Sequence, residues 1–266
     1  MLVDIGINLA HASFQADRDA VIERALQRGI EVMIVTGTSL KASQEALALC
    51  ARHPGLLFAT AGVHPHNARQ CNDETLRALR KLADNKAVVA IGECGLDFNR
   101  DFSPRPVQEK WFERQIQLAG ETRLPLFLHE RDAHQRFIEM LTAHRDHFDE
   151  AVVHCFTGTK AELHAYLELD LFIGITGWIC DDRRGRHLRE LVKDIPSDKL
   201  LLETDAPFLT PRNIQPRPKD NRNEPAYLPY IAQMIAQCTG QTVAEIAAST
   251  TENALWFFAI HDAPPE

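Results

Sequence analysis

Eight short apolar runs recur along the chain, at residues 2–5, 30–35, 56–60, 87–91, 124–128, 151–153, 171–175 and 200–202, and their rhythm limits the fold more than any other feature. A longer stretch with helical periodicity follows each one. The runs are almost continuously apolar where a half-exposed strand would alternate. Both faces of each strand should therefore be buried, as in a parallel sheet covered by helices. Eight such units predict an α/β fold closed into a (β/α)8 TIM barrel. A doubly wound open sheet is the alternative, because counting repeats does not establish closure. Helices are expected after Phe14, with Asp17 and Asp19 in the first turn, and over residues 39–52, 73–83, 227–238 and 243–258. Residues 99–106 read as a loop that delays the helix after the fourth run.

No stretch rich in Gly, Ser or Pro divides the 266 residues, so 1–266 reads as a single domain with one sizeable core. The opening residues show no basic leader, and no apolar run approaches the roughly 18 residues of a membrane span. The expectation is a cytoplasmic protein with no membrane partner. Six widely spaced cysteines without a Cys-x-x-Cys argue against a zinc knuckle or a disulfide framework. A net charge of −8 excludes loose attraction of the whole surface to nucleic acid, while leaving room for a local basic groove.

The apolar runs terminate in Glu93, His129, His154 and Asp205, all at carboxyl ends. In a parallel barrel those ends converge on one rim, where active sites are built. A lone histidine at a strand end is usually a hydrogen-bonded core residue. Four polar residues on four strand ends instead make a mixed nitrogen and oxygen ligand set suited to zinc, manganese, iron or magnesium. A cation there would offset the cost of desolvating Glu93. His64 and His66 lie just beyond the third run, where they either join the site or assist the turn at Pro65. Asp97 can organise its own loop through side-chain hydrogen bonds. Asp4 sits inside the first strand. Glu203, two before Asp205, could face the same side of a strand, so either could be the catalytic acid.

Residues 181–189 carry four arginines, Arg183 among them, against two acids, and residues 212–222 carry Arg212, Arg217, Lys219 and Arg222 against Asp220. These loops often bind phosphate in such barrels. The plain alternative is a solvated rim; the functional one is a polyanion such as DNA or RNA. There is no Gly-x-Ser-x-Gly elbow, Walker loop or Gly-x-Gly-x-x-Gly after a strand, which removes acyl-serine chemistry and nucleotide cofactors. Metal-assisted hydrolysis is what the residues allow.

Six motifs carry a family resemblance: Gly62-Val-His-Pro-His66, Ile91-Gly-Glu-Cys-Gly-Leu-Asp-Phe98, Leu128-His-Glu-Arg-Asp-Ala133, His154-Cys-Phe-Thr-Gly158, Glu203-Thr-Asp-Ala-Pro-Phe-Leu-Thr-Pro211, and Asn223-Glu-Pro225 with Thr251-Glu-Asn-Ala254. Together they resemble the TatD family of metal-dependent deoxyribonucleases. The resemblance implies a barrel of the metallo-dependent hydrolase type that cuts phosphodiester bonds. It further implies a magnesium-dependent 3′→5′ exonuclease on single-stranded DNA, linked to DNA repair, with RNA as a further candidate substrate. Glu93, His129 and His154 match metal ligands, Asp205 matches an aspartate that binds metal or positions water, and Arg131 matches a position near the substrate. On this reading Asp205, Glu93 and His64 are catalytic, and His66, Arg131, Arg183 and Arg212 contact substrate. Mg²⁺ is the expected cofactor, with Mn²⁺ or Zn²⁺ as alternatives.

The departure lies in the first strand. The family usually opens with Asp-x-His-x-His, whereas this chain has Asp4-Ile-Gly-Ile-Asn8, with Gly6 and Asn8 in place of the histidines. One firm metal is therefore expected, and a second only when substrate phosphate helps to hold it. Two rival functions follow. A cyclic amidohydrolase shares the barrel and metal logic, but those enzymes usually use the missing histidine pair and often a strand-4 lysine where Glu93 stands. A non-catalytic nucleic-acid-binding barrel is the other.

Overall fold

The apolar runs become eight strands: β1 (Leu2–Ile7), β2 (Ile30–Val35), β3 (Leu57–Ala61), β4 (Val88–Asp97), β5 (Leu126–Arg131), β6 (Ala151–Val153), β7 (Phe172–Ile175) and β8 (Leu200–Leu202). The structure, a computed structural model, describes residues 1–218 and 220–260. Every strand pairs in parallel with the next in sequence, so the order is simply β1 to β8. Closure comes from the segment after β8. Ile7 bridges Ala206, the Asn8 N–H donates to the Ala206 carbonyl at 2.8 Å, and the Asp205 N–H donates to the Gly6 carbonyl at 2.8 Å. These bonds join the two ends of the sheet and exclude the open-sheet alternative.

The strands separate two apolar layers with the period of two that pleating imposes. Val3, Ile5, Val32, Ile34, Phe127, Val152 and Leu201 fill the barrel, with Phe257 and Phe258 packed against them. Leu2, Met33 and Val35 point to the helices outside, and Ile7 joins them because β1 is irregular between Asp4 and Ile7. The helices are α1 (Arg18–Gln27), α2 (Leu40–Cys50), α3 (Asp73–Leu82), α4 (Arg105–Thr122), α5 (His134–Ala143), α6 (Lys160–Glu168), α7 (Leu188–Leu191), α8 (Leu228–Thr239) and α9 (Val243–Phe257). Several starts are legible in sequence. Ser39 caps α2, and Asn72, Thr159 and Thr242 form capping boxes on α3, α6 and α9, each worth about 1 kcal/mol.

Two elements differ from expectation. β4 does not stop at Gly92 but runs through Glu93 to Asp97, all ten residues buried. Glu93 thus lies within a strand and not at its mouth. Asp17 precedes α1 instead of joining its first turn. It accepts two hydrogen bonds from Arg222 at 2.7 Å, while Arg24 pairs with Glu224 at 2.6 Å. Hydrogen bonds from Arg222 draw the Asp17 carboxyl down to about 2. This pairing clamps the long loop after β8 onto α1, so Arg222 serves the loop and not a ligand. Lys219 falls outside the described residues.

Asp4 is wholly buried in β1. Its Oδ1 accepts the N–H groups of Gly6 and Thr204 at 3.3 and 2.9 Å, and its Oδ2 bonds the Thr204 hydroxyl. Burial outweighs these bonds and raises its pKa from 3.8 to about 7. A raised folded pKa means that the unfolded chain sheds this proton first, from about pH 4. The stability contributed by protonated Asp4 therefore declines as pH rises and is gone above about 7. Asp4→Asn keeps the acceptor oxygen and offers an N–H to Thr204. Relative to wild type it should gain stability between pH 5 and pH 8, by at most about 4 kcal/mol, as read from urea unfolding at both pH values. Parallel pH dependence in the two proteins would contradict this.

Candidate metal centre

What meets Glu93 inside β4 is imidazole. Three ring nitrogens converge on a single oxygen, Oε1: His154 Nε2 at 2.8 Å, His129 Nδ1 at 3.1 Å and His64 Nε2 at 3.3 Å. His129 comes from β5, His154 immediately follows β6, and His64 caps the 3-10 turn Pro65–Gln70 after β3. Strand register accounts for the assembly, since Gly95 pairs with His129 across β4 and β5. Gly92 has φ +143°, and a Cβ there would overlap the Phe127 carbonyl, so only glycine allows β5 to approach beside Glu93.

The outer hydrogen bonds of each ring fix where its proton sits. The His66 backbone N–H donates to His64 Nδ1 at 3.0 Å. Neutral His64 then carries its proton on Nε2 and faces Glu93 as a donor. Burial holds its pKa down at about 4, so the ring is neutral near pH 7. His129 and His154 are arranged the other way. His154 Nδ1 lies 3.3 Å from Glu203 Oε2, and His129 Nε2 lies 3.4 Å from Asp97 Oδ2. If a metal displaced the near proton, a proton kept on those far nitrogens would leave each near nitrogen free to bind it, as in carboxylate–histidine–metal triads.

The carboxylates and imidazoles of the site shift one another's protonation. Burial drives the Glu93 carboxyl up, but His154 and His64 outweigh it and hold the group well below the carboxylate range. Burial likewise opposes charge on His154, yet Glu93 and Glu203 push its pKa well above the usual imidazole value. Burial raises the Asp205 carboxyl to about 7, with Glu93 and Glu203 adding to the rise. His129 Nε2 is buried without an aligned hydrogen-bond partner among the described residues, its 3.4 Å approach to Asp97 being poorly directed. Ligand atoms of His64, Glu93 and His129 all lie within 4.8 Å of one another, close enough to share one ion. The donor set of imidazole nitrogens and one carboxylate fits a divalent metal.

Asp205 stands apart from this knot. It follows β8 by three residues with φ +53°, and Asn8 Nδ2 donates to its Oδ1 at 3.0 Å. Glu203 and Asp205 both lie beyond the end of β8, so strand alternation does not relate them. Glu203, left open by the sequence, is fully buried. Its carboxylate accepts the Cys155 N–H as well as facing His154, and a Cβ at either Gly6 or Gly174 would overlap it. Gly6, where the family has histidine, thus makes room for Glu203. Gly6→Ala is expected to displace that carboxylate and lower stability by about 1–3 kcal/mol, measured by urea unfolding. An unchanged midpoint would mean that the cradle is slack.

The remaining candidates separate. His66 Nε2 bonds Asp97 Oδ2 at 2.7 Å beside His129, while Asp97 Oδ1 accepts the N–H groups of Asn99 and Arg100 and so organises its loop. Arg131 ends β5, exposed. Arg212 Nε pairs with Asp181 Oδ2 at 2.7 Å. Arg183 contributes only a backbone N–H to Asp181, whereas its neighbour Arg184 lies over Trp178.

A parallel barrel whose rim gathers three imidazoles around a buried carboxylate has the layout of a metal-dependent hydrolase. Residues 3–259 match the family described as TatD related DNase. The 3′-5′ ssDNA/RNA exonuclease TatD of Erwinia tasmaniensis is 52% identical over 257 residues, covering 97% of this chain and 99% of the relative. The protein of that name from Escherichia fergusonii is 49% identical, covering 97% and 99%. Among solved structures, YjjV, a TatD homolog from Escherichia coli K12, superposes with a TM-score of 0.87 at 28% identity, covering 98% of each chain. The chain belongs to the TatD-related DNase family. No helix among the described residues is long and apolar enough to cross a membrane.

Proposed function

We propose that the chain is a metal-dependent nuclease that removes nucleotides from the 3′ end of single-stranded DNA, with RNA as a second substrate. The observation that carries this reading is the convergence of three imidazole nitrogens on Glu93 Oε1 at the carboxyl-end rim. The names and identities of the relatives support the choice of substrate.

Glu93, His129 and His154 would hold the ion, Mg²⁺ in use and Mn²⁺ as a tighter substitute for a nitrogen-rich set. His64 lies within the same 4.8 Å group, but its capped Nδ1 makes it a donor, and we assign it to the leaving oxygen. A bound divalent ion supplies Lewis-acid polarisation of the phosphoryl group and activation of water. Asp205, oriented by Asn8, accepts the proton of the attacking water, with the carboxylate rather than the acid as the working form. Arg131 and His66 lie on the same side of the rim as His129 and would contact phosphate or sugar oxygens. The Gly6 and Asn8 positions offer no imidazole, so the second ion enters only with substrate.

The test is nucleotide release from 5′-labelled and 3′-labelled single strands with Mg²⁺, Mn²⁺ or chelator. Stepwise shortening from the 3′ end, dependent on metal, is the expected result. Hydrolysis of cyclic amides with inert DNA would favour the amidohydrolase alternative instead.

A further inference from the structure

We propose that the cavity between the loops following β7 and β8 is a nucleotide subsite, gripping a base of the retained strand beyond the first nucleotide on the 5′ side of the bond being cut. This deepens the nuclease reading and rests on it. The cavity has a volume of about 500 Å³, within the range of pockets that enclose small organic groups. Its apolar walls are Trp178, Phe208 and Leu209, and its edge carries Arg184, Arg212 and Arg217. One of its walls is tied to the site through the backbone, the Phe208 N–H donating to the Asp205 carbonyl at 3.0 Å.

Trp178 packs partly against the core, whereas Phe208 does not. Phe208 is 49% exposed, with the edge of the His11 ring at 5.6 Å between centroids. Arg184 lies 5.3 Å over the Trp178 ring. Asp181 preorganises the edge: it pairs with Arg212 and accepts the N–H groups of Arg183 and Arg184. One carboxylate against three guanidinium groups leaves net positive charge. Flat apolar surfaces bordered by cations match a base joined to phosphate, and stacking on aromatic rings tolerates any base. An enzyme that releases one nucleotide at a time from a 3′ end has a single nucleotide beyond the cut. Three guanidinium groups around the cavity exceed what that one nucleotide needs, and so suit the strand that stays.

The test uses the whole protein and oligonucleotides carrying one 5-iododeoxyuridine, a photoreactive base that couples to stacked aromatic rings. With chelator present to prevent cleavage, irradiation should link Trp178 or Phe208 to one position a few nucleotides from the 3′ end. In kinetics with Mg²⁺, Phe208→Ala and Trp178→Ala should each raise KM about tenfold more for a hexanucleotide than for a dinucleotide, which is too short to reach the cavity. Phe208→Tyr should restore the wild-type ratio, which a folding defect would not allow. If wild type cleaves the hexanucleotide but crosslinks map elsewhere, or the variants affect both lengths equally, the subsite is wrong and the nuclease reading stands. If wild type releases nothing from any strand with any metal, the nuclease reading falls and takes the subsite with it.

Discussion

Glu93→Gln is expected to reduce metal-dependent cleavage of single-stranded DNA about a thousandfold. The metal contributes several kcal/mol of transition-state stabilisation, and Glu93 is the one anionic group on which the imidazoles of His64, His129 and His154 all converge. Glutamine keeps the shape and can still accept from His154, so the barrel should fold, as near-UV circular dichroism would show. A folded variant retaining more than a tenth of wild-type activity would rule Glu93 out as the anchor of the ion.

Glu203→Ala should weaken Mn²⁺ binding by about ten- to a hundredfold, the usual cost of removing the group that orients a metal-binding histidine. Glu203 is buried behind His154, with Nδ1 at 3.3 Å, and also accepts the Cys155 N–H. Without it the ring loses the partner that keeps a proton on Nδ1 and leaves Nε2 available to a metal. Calorimetric titration separates this from a purely structural role. A variant of lowered stability that bound Mn²⁺ with wild-type affinity would make Glu203 a packing residue.

Most of the architecture is legible in sequence because eight buried strands must be written in nearly unbroken apolar residues. The true length of β4 is not, since Glu93 interrupts its apolar pattern while three imidazoles supply what burial removes. Closure also escapes a count of repeats: it depends on backbone bonds from Asp205 and Ala206 to Gly6 and Asn8. Within the site, the sequence brings out Glu93, His129, His154 and Asp205 as strand-end residues. The importance of Glu203 becomes apparent only when Gly6 and Gly174 are seen to vacate space for its carboxylate. Charge counting misjudges the rim for a related reason. A tally of arginines cannot separate Arg222, clamped to Asp17, from Arg184 and Arg217, which border a cavity.

Anomalous diffraction from crystals grown with Mn²⁺ tests the central claim most directly. The expected result is a manganese peak in bonding contact with Glu93, His129 Nδ1 and His154 Nε2. No peak at Glu93, or manganese held by other residues, would contradict the account.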